Sequence, residues 1–225
     1  MTCTQQRFER DVAQHQITVV RDNGVDRHVK FSKPDSSTYW FEILTWPGAL
    51  CIRGDCGTYV FSRIRDMFEF FRTTPERTKE GELHINPQYW MEKLEAVSKD
   101  GRGEGSATRF SEDVFKREVV EWFRRYTDAR WYAENREDRW AIWEAVRELL
   151  QEVDSHDESH NWSLLRDFEV WNDETCKYEY RDFFSDWEMD CKEYGFGFLW
   201  SCYAIAWAIR MYDAAKVEST SAVSA

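Results

Sequence analysis

His156 and His160 stand four residues apart in "HDESH" (156–160). On a helix that spacing turns both imidazoles to one side, where a divalent metal could sit, with Asp157 in the place where zinc proteases carry a Glu. The chemistry would be metal-dependent hydrolysis, by a hydrolase or nuclease. Three features weigh against it: Asp is a shorter base than Glu, no third ligand is identifiable, and "VDSHDESHNW" is rich in turn formers. The competing reading is a solvated acidic loop, with Asn161 or Ser163 capping the helix that follows. Cys51 and Cys56 have four residues between them and no matching second pair, a poor zinc signal. "GRGEG" (101–105) lacks the Lys-Ser/Thr of a phosphate loop and the spacing of a dinucleotide turn, so it reads as a flexible loop. None of the five His has a serine partner by motif, and no catalytic residue or cofactor is nominated.

The stronger chemical signal is charge. The net charge is −12, and residues 152–193 alone hold 14 Asp and Glu against four Lys and Arg. Such a field repels nucleic acid and attracts basic surfaces. Within it, "YRDFFSDWEMDCKEY" (180–194) crowds acids among aromatic rings. If that stretch is helical, Asp182, Asp186, Asp190 and Glu193 share one face, each like-charge i,i+4 pair costing roughly 0.2–0.5 kcal/mol. Burial of Phe183, Phe184 and Trp187 on the opposite side offsets that cost, so a solvated acidic face is an adequate explanation. One such row, at about 6 Å per acid, is too sparse to imitate a duplex with a charge every 1.7 Å or so. Several acidic elements side by side approach it. The nominated partner-binding residues are Asp173, Glu174, Asp182, Asp186, Glu188, Asp190 and Glu193, with Trp187 as aromatic anchor.

The elements that position them follow from pattern. Twelve Trp, 10 Tyr and 15 Phe in 225 residues supply a core. "QITVV" (16–20) and "HVKF" (28–31) flank Asn23-Gly24, a hairpin signal. "STYWFEILTW" (37–46), apolar on both faces, ends at Pro47-Gly48 and asks for helices on each side. "ALCI" (49–52) and "TYVF" (58–61) are joined by "RGDCG", completing a four- or five-stranded meander. "DMFEFF" (66–71) predicts a short helix. Asn86-Pro87 starts another, with Trp90, Leu94 and Val97 at helical spacing. Ser111 caps a helix that buries Phe115, Val119, Trp122, Phe123 and Tyr126. A second long helix, 137–153, aligns Trp140, Trp143, Val146, Leu150 and Val153. The run Tyr194 to Ile209 is 16 uncharged residues, short of the 18 or so of a membrane span, and reads as a central core helix over 197–213. The start has no apolar leader, so the expectation is a soluble protein with reduced, buried cysteines and no membrane role.

The blocks "FEILTWPGALCIRGDCGTYVFSRIRDMFEFF" (41–71) and "DFFSDWEMDCKEYGFGFLWSCYAIAWAIRMYD" (182–213) resemble a family of uncharacterised accessory proteins of tailed phages and prophages. The resemblance implies work in a bacterial host's cytoplasm, and small accessory proteins of such genomes frequently block host defence effectors of the CRISPR–Cas or restriction type. It carries no catalytic residues. The fold expected is α+β: one domain over 1–216, with an antiparallel sheet at 14–64 packed by a helical part at 65–216, and a disordered tail at 217–225. The function expected is non-enzymatic inhibition through an acidic, nucleic-acid-mimicking surface that binds a basic host protein. A metal-dependent hydrolase using His156 and His160, or a scaffolding phage factor, is the alternative.

Overall fold

Turn chemistry dictates a meander of six antiparallel strands. The computed structural model describes residues 2–72, 81–98, 106–172 and 177–223. After α1 (Gln5–Val12), β1 (Gln16–Asn23) turns into β2 (Asp26–Ser32) through Gly24, whose φ of 61° favours glycine. β3 (Phe41–Trp46), β4 (Ala49–Gly54) and β5 (Gly57–Ser62) follow through Pro47-Gly48 and Asp55-Cys56, and β6 (Leu94–Val97) closes the sheet in strict chain order. The spacing of Trp90, Leu94 and Val97 predicts one helix. Instead α3 (Pro87–Met91), capped by Asn86 as expected, stops after five residues, and the chain from Leu94 pairs with Tyr59–Phe61 of β5. Open hydrogen bonds on the β5 edge outweigh a helical pattern of only three apolar residues.

One sheet face packs under α8 (Phe196–Val223), which also meets α1 and α2 (Met67–Phe71). Phe31, Phe41, Ile43, Leu50, Ile52 and Phe61 point into this core. Trp200 of α8 meets Phe8 edge-on at 5.1 Å and Phe41 at 5.5 Å between ring centres. α8 is apolar on most sides because sheet and helices surround its first half, and no helix among the described residues is long and apolar enough to cross a membrane. It continues to Val223, through the tail expected to be disordered from 217; nothing between Lys216 and Val223 is a Gly or Pro that would end it. Helices were expected on the second face as well; among the described residues of unit 1 it carries charge instead. There a cross-strand row, Lys30, Glu42 and Arg53, is joined by His28. Glu42 is buried at 6% exposure, with His28 at 2.7 Å, Arg53 at 3.2 Å and Lys30 at 3.5 Å. Burial works to raise its pKa, but these three partners outweigh that and hold it below the usual carboxylate range.

The chain forms two compact units where one domain over 1–216 was expected: unit 1 is Met1–Arg109 with Tyr194–Ala225, and unit 2 is Phe110–Glu193. The chain leaves unit 1 through β7 (Thr108–Phe110) and returns through β10 (Lys192–Tyr194), which pair with each other. Unit 2 holds α4 (Glu112–Tyr126), α5 (Ala129–Glu134), α6 (Arg136–Glu152), α7 (Glu158–Arg166) and the hairpin of β8 (Val170–Asn172) and β9 (Lys177–Glu179). Ser111 caps α4 through the Val114 N–H, with Glu112 and Asp113 in its first turn. Unit 2 has its own core of Phe115, Val119, Phe123, Ile142, Val146, Leu149, Leu165, Phe168, Phe183 and Phe184.

Two substitutions test the packing of unit 1. A Cβ on Gly197 would come within 2.4 Å of the Cys56 carbonyl oxygen in the β4–β5 turn. Gly197→Ala is therefore expected to lower stability by roughly 1–3 kcal/mol, read from the urea midpoint. Arg27 grips Asp66 with two hydrogen bonds of 2.8 Å, and this pairing holds the Asp66 pKa below its ordinary 3.8. A depressed carboxyl stabilises the fold above its ordinary pKa, and the gain disappears as pH falls through the folded value. Asp66→Asn should cost about 2 kcal/mol at neutral pH and progressively less below pH 3.8, measured by denaturation of both proteins across that range.

Candidate functional site

Tyr180 leaves β9 with a φ of 59°, and its carbonyl accepts the Phe183 N–H at 3.0 Å. Two further turns of the same kind follow, Ser185 N–H to Asp182 and Trp187 N–H to Phe184, and the chain then runs irregularly to β10. The helix read for 180–194 is thus corrected to a ribbon of tight turns. Phe183 and Phe184 decide it: their rings meet each other at 4.8 Å and Phe168 at 5.3 and 5.0 Å, and the Trp122 indole N–H donates to the Phe183 carbonyl at 2.8 Å. Adjacent buried rings suit a turn. A helix would swing them about 100° apart.

With the rings inside, the acids face out. Asp182, Asp186, Glu188 and Asp190 are exposed and Glu193 is half-buried, so the single helical acid face does not exist, but the exposure predicted for its acids does. Asp190 has Lys192 at 4.0 Å, while the carboxylates of Asp182, Asp186 and Glu188 have no ion-pair partner among the described residues. Asp173 and Glu174 lie outside the described residues, as do Cys176 and the loop 101–105. Trp187 is corrected as an anchor: it is half-buried against Trp122 at 5.6 Å and Phe184 at 5.6 Å, and serves the core. Exposed rings of this region are Trp171 on β8, 49% exposed, and Tyr126 at the end of α4.

A second acidic locus adjoins the ribbon. Glu148 and Glu152 of α6, with Asp167 and Glu169 beyond α7, line a depression of about 280 Å³ that no Lys or Arg lines. Asp167 is bonded by Arg166 at 2.8 Å, which holds its carboxyl below the usual range, and Glu169 pairs with Arg181 at 3.2 Å. That last pair ties the depression to the first residue after Tyr180, and the β8–β9 register sets Val170 opposite Glu179. Val170 is buried between Glu169 and Trp171, and both neighbours are exposed, as alternation requires. Glu148 escapes a sequence search because it precedes the densest acidic stretch; its i,i+4 spacing to Glu152 was the available signal.

The charge division follows the fold. Unit 2 holds 24 Asp and Glu against 12 Lys and Arg, the entire −12, whereas unit 1 holds 18 of each.

The histidine pair takes no metal-like arrangement. α7 begins at Glu158 with Asp157 as its N-cap, accepting from the His160 N–H at 2.9 Å, so His156 lies outside the helix. The His160 ring nitrogen is 3.1 Å from the Glu152 carbonyl. No group of three His, Cys, Asp or Glu among the described residues is placed to hold a metal ion. Cys3, Cys51, Cys56, Cys191 and Cys202 are free; burial pushes Cys3 and Cys191 up to about 11 and raises Cys56 and Cys202 well above the usual thiol range, leaving neutral thiols. Asn161 caps nothing. It is fully buried inside α7, its Oδ1 accepting the Asp154 N–H at 2.9 Å and its Nδ2 donating to the Asp154 carbonyl at 2.6 Å. Compared with protein families, with curated proteins and with solved structures, the chain matches none, so the phage resemblance rests on its two sequence blocks.

Asn161 closes the 154–161 loop that sets α7 against α6. Asn161→Ala should destabilise the protein by about 1–3 kcal/mol, while His156→Ala, on an exposed side chain, should leave the thermal midpoint unchanged. Differential scanning calorimetry of the two variants checks both.

Proposed function

We propose that unit 2 is an acidic docking module with which this protein occupies the basic, nucleic-acid-binding surface of a partner protein. The observation that supports this best is the confinement of all the net charge to one unit, beside a second that balances to zero. A groove built for nucleic acid spaces Lys and Arg to meet phosphates. Unit 2 offers carboxylates from α6, the α7–β8 connection and the 181–190 ribbon, and three such segments approach phosphate spacing more closely than one row. Trp171 supplies an apolar contact among them, of the kind that anchors interfaces when desolvated. The same field disfavours direct binding of nucleic acid. The resemblance to tailed-phage accessory proteins makes a defence effector in the bacterial cytoplasm the class of partner, and inhibition without catalysis the outcome.

The carboxylates of Asp182, Asp186 and Glu188 are outside every described ion pair, so D182N/D186N/E188Q removes charge without disturbing packing. The triple variant should associate with its partner about tenfold more slowly at low salt, and wild type should lose the same advantage at high salt. Trp171→Ala should act on dissociation instead. Affinity capture from infected bacteria, followed by surface plasmon resonance on the captured protein, measures all three. Duplex DNA should compete with the capture. Binding indifferent to salt and to the triple change would sink the reading.

A further inference from the structure

The sequence places Trp140, Trp143 and Val146 on one buried stripe of α6, but the core side is Ile142, Val146 and Leu149. The sequence offers two apolar stripes that share Val146, and the aliphatic one fits between α4 and α7. Trp140 is consequently 66% exposed. It stands in a groove of about 800 Å³ between α4 and the first half of α6, a size ordinary for small-ligand sites. Trp143 lines the same groove, tilted against Phe123 at 5.0 Å between ring centres.

The charge of this groove runs against its surroundings. In a unit with twice as many acids as bases, it gathers Arg124, Arg136 and Arg139 with one carboxylate, Glu137. Arg139 lies over the Phe123 ring at 5.0 Å, which fixes the plane of its guanidinium. Arg124 pairs with Glu121 at 2.7 Å on the exposed side, and Arg136 has no ion pair among the described residues. Arg136 is also the first residue of a 17-residue helix whose N-cap, Asn135, makes no side-chain cap bond. At about 100° per residue, Arg136, Arg139 and Trp143 lie roughly 120–180° around α6 from Glu148 and Glu152. One helix therefore separates an acidic depression from a cationic groove.

Flat aromatic surface beside forked cations, with a single acceptor between them, is complementary to a ligand with a planar ring, an anionic group and a hydroxylated spacer. We propose that the α4–α6 groove binds a free nucleotide, with the base stacked on Trp140, the phosphate held by Arg124, Arg136 and Arg139, and Glu137 accepting from a sugar hydroxyl. Guanidinium forks match phosphate oxygens in pairs, and base–indole stacking tolerates any base. A nucleic-acid strand is disfavoured, because the phosphates beyond the first would meet the acids of the rest of the unit. This site is independent of the acidic docking surface.

The test is isothermal titration of the full chain with ribonucleoside 5′-monophosphates, and with adenosine, inorganic phosphate and a 5′-phosphorylated single-stranded oligonucleotide as separate arms. The monophosphates should bind at least about tenfold more tightly than adenosine or phosphate alone, and more tightly than the oligonucleotide. Arg136→Ala and Trp140→Ala alter exposed side chains and should keep the wild-type circular dichroism while each weakens the nucleotide by about tenfold or more. No heat with any monophosphate at millimolar concentration, or affinity unchanged in both variants, overturns the proposal. An oligonucleotide that binds as tightly as the monophosphates identifies a strand end as the ligand and overturns the free-nucleotide assignment.

Discussion

Phe183 and Phe184 sink into the unit 2 core from a stretch with no regular secondary structure, and the acidic surface depends on that anchorage. Each buried Phe contributes on the order of 2–3 kcal/mol, and the Trp122 hydrogen bond fixes the backbone between them. Repulsion among exposed carboxylates is weak by comparison, because water and salt screen it. The balance explains the odd composition of 180–194. Rings hold the ribbon down and leave its acids no direction but outward.

The two units use charge differently. Unit 1 uses charges to join different elements: Arg27 of β2 with Asp66 before α2, Arg72 after α2 with Asp213 of α8, and Glu42 of β3 with His28, Lys30 and Arg53 on the strands at either side. In unit 2 the ion pairs among the described residues are largely local, within a helix turn or between neighbours, such as Arg124 with Glu121, Arg147 with Glu144 and Arg166 with Asp167. Local pairs on a surface add little to stability. Unit 2 keeps twelve more acids than bases, and that surplus carries the proposed role.

Much of the fold was legible where local chemistry has one solution. Asn23-Gly24, Asn86-Pro87 and Ser111 each mark the turn or cap they were read to mark. The failures share a cause, two patterns compatible with the same residues. Leu94 and Val97 fit a helix until an unpaired β5 edge claims them. On α6, Trp140 and Ile142 compete for the core, and the smaller, branched side chain takes it. Asp182, Asp186 and Asp190 repeat like a helix face, but the adjacent phenylalanines need one pocket. The charge asymmetry located the acidic half correctly. It could not locate unit 2, because the chain returns at Tyr194 to complete the sheet unit, and that return is a tertiary fact.

β7 and β10 are neighbours in one two-stranded pairing, so the departure and re-entry of the chain are adjacent. A segment whose two ends meet is an insertion that its host can carry without rearrangement, and the host's remaining ends rejoin as easily. The sheet and α8 form a frame in which eighty-odd residues could be exchanged for others at the same doorway. The surface of such a molecule can change as a block while the frame keeps its own core.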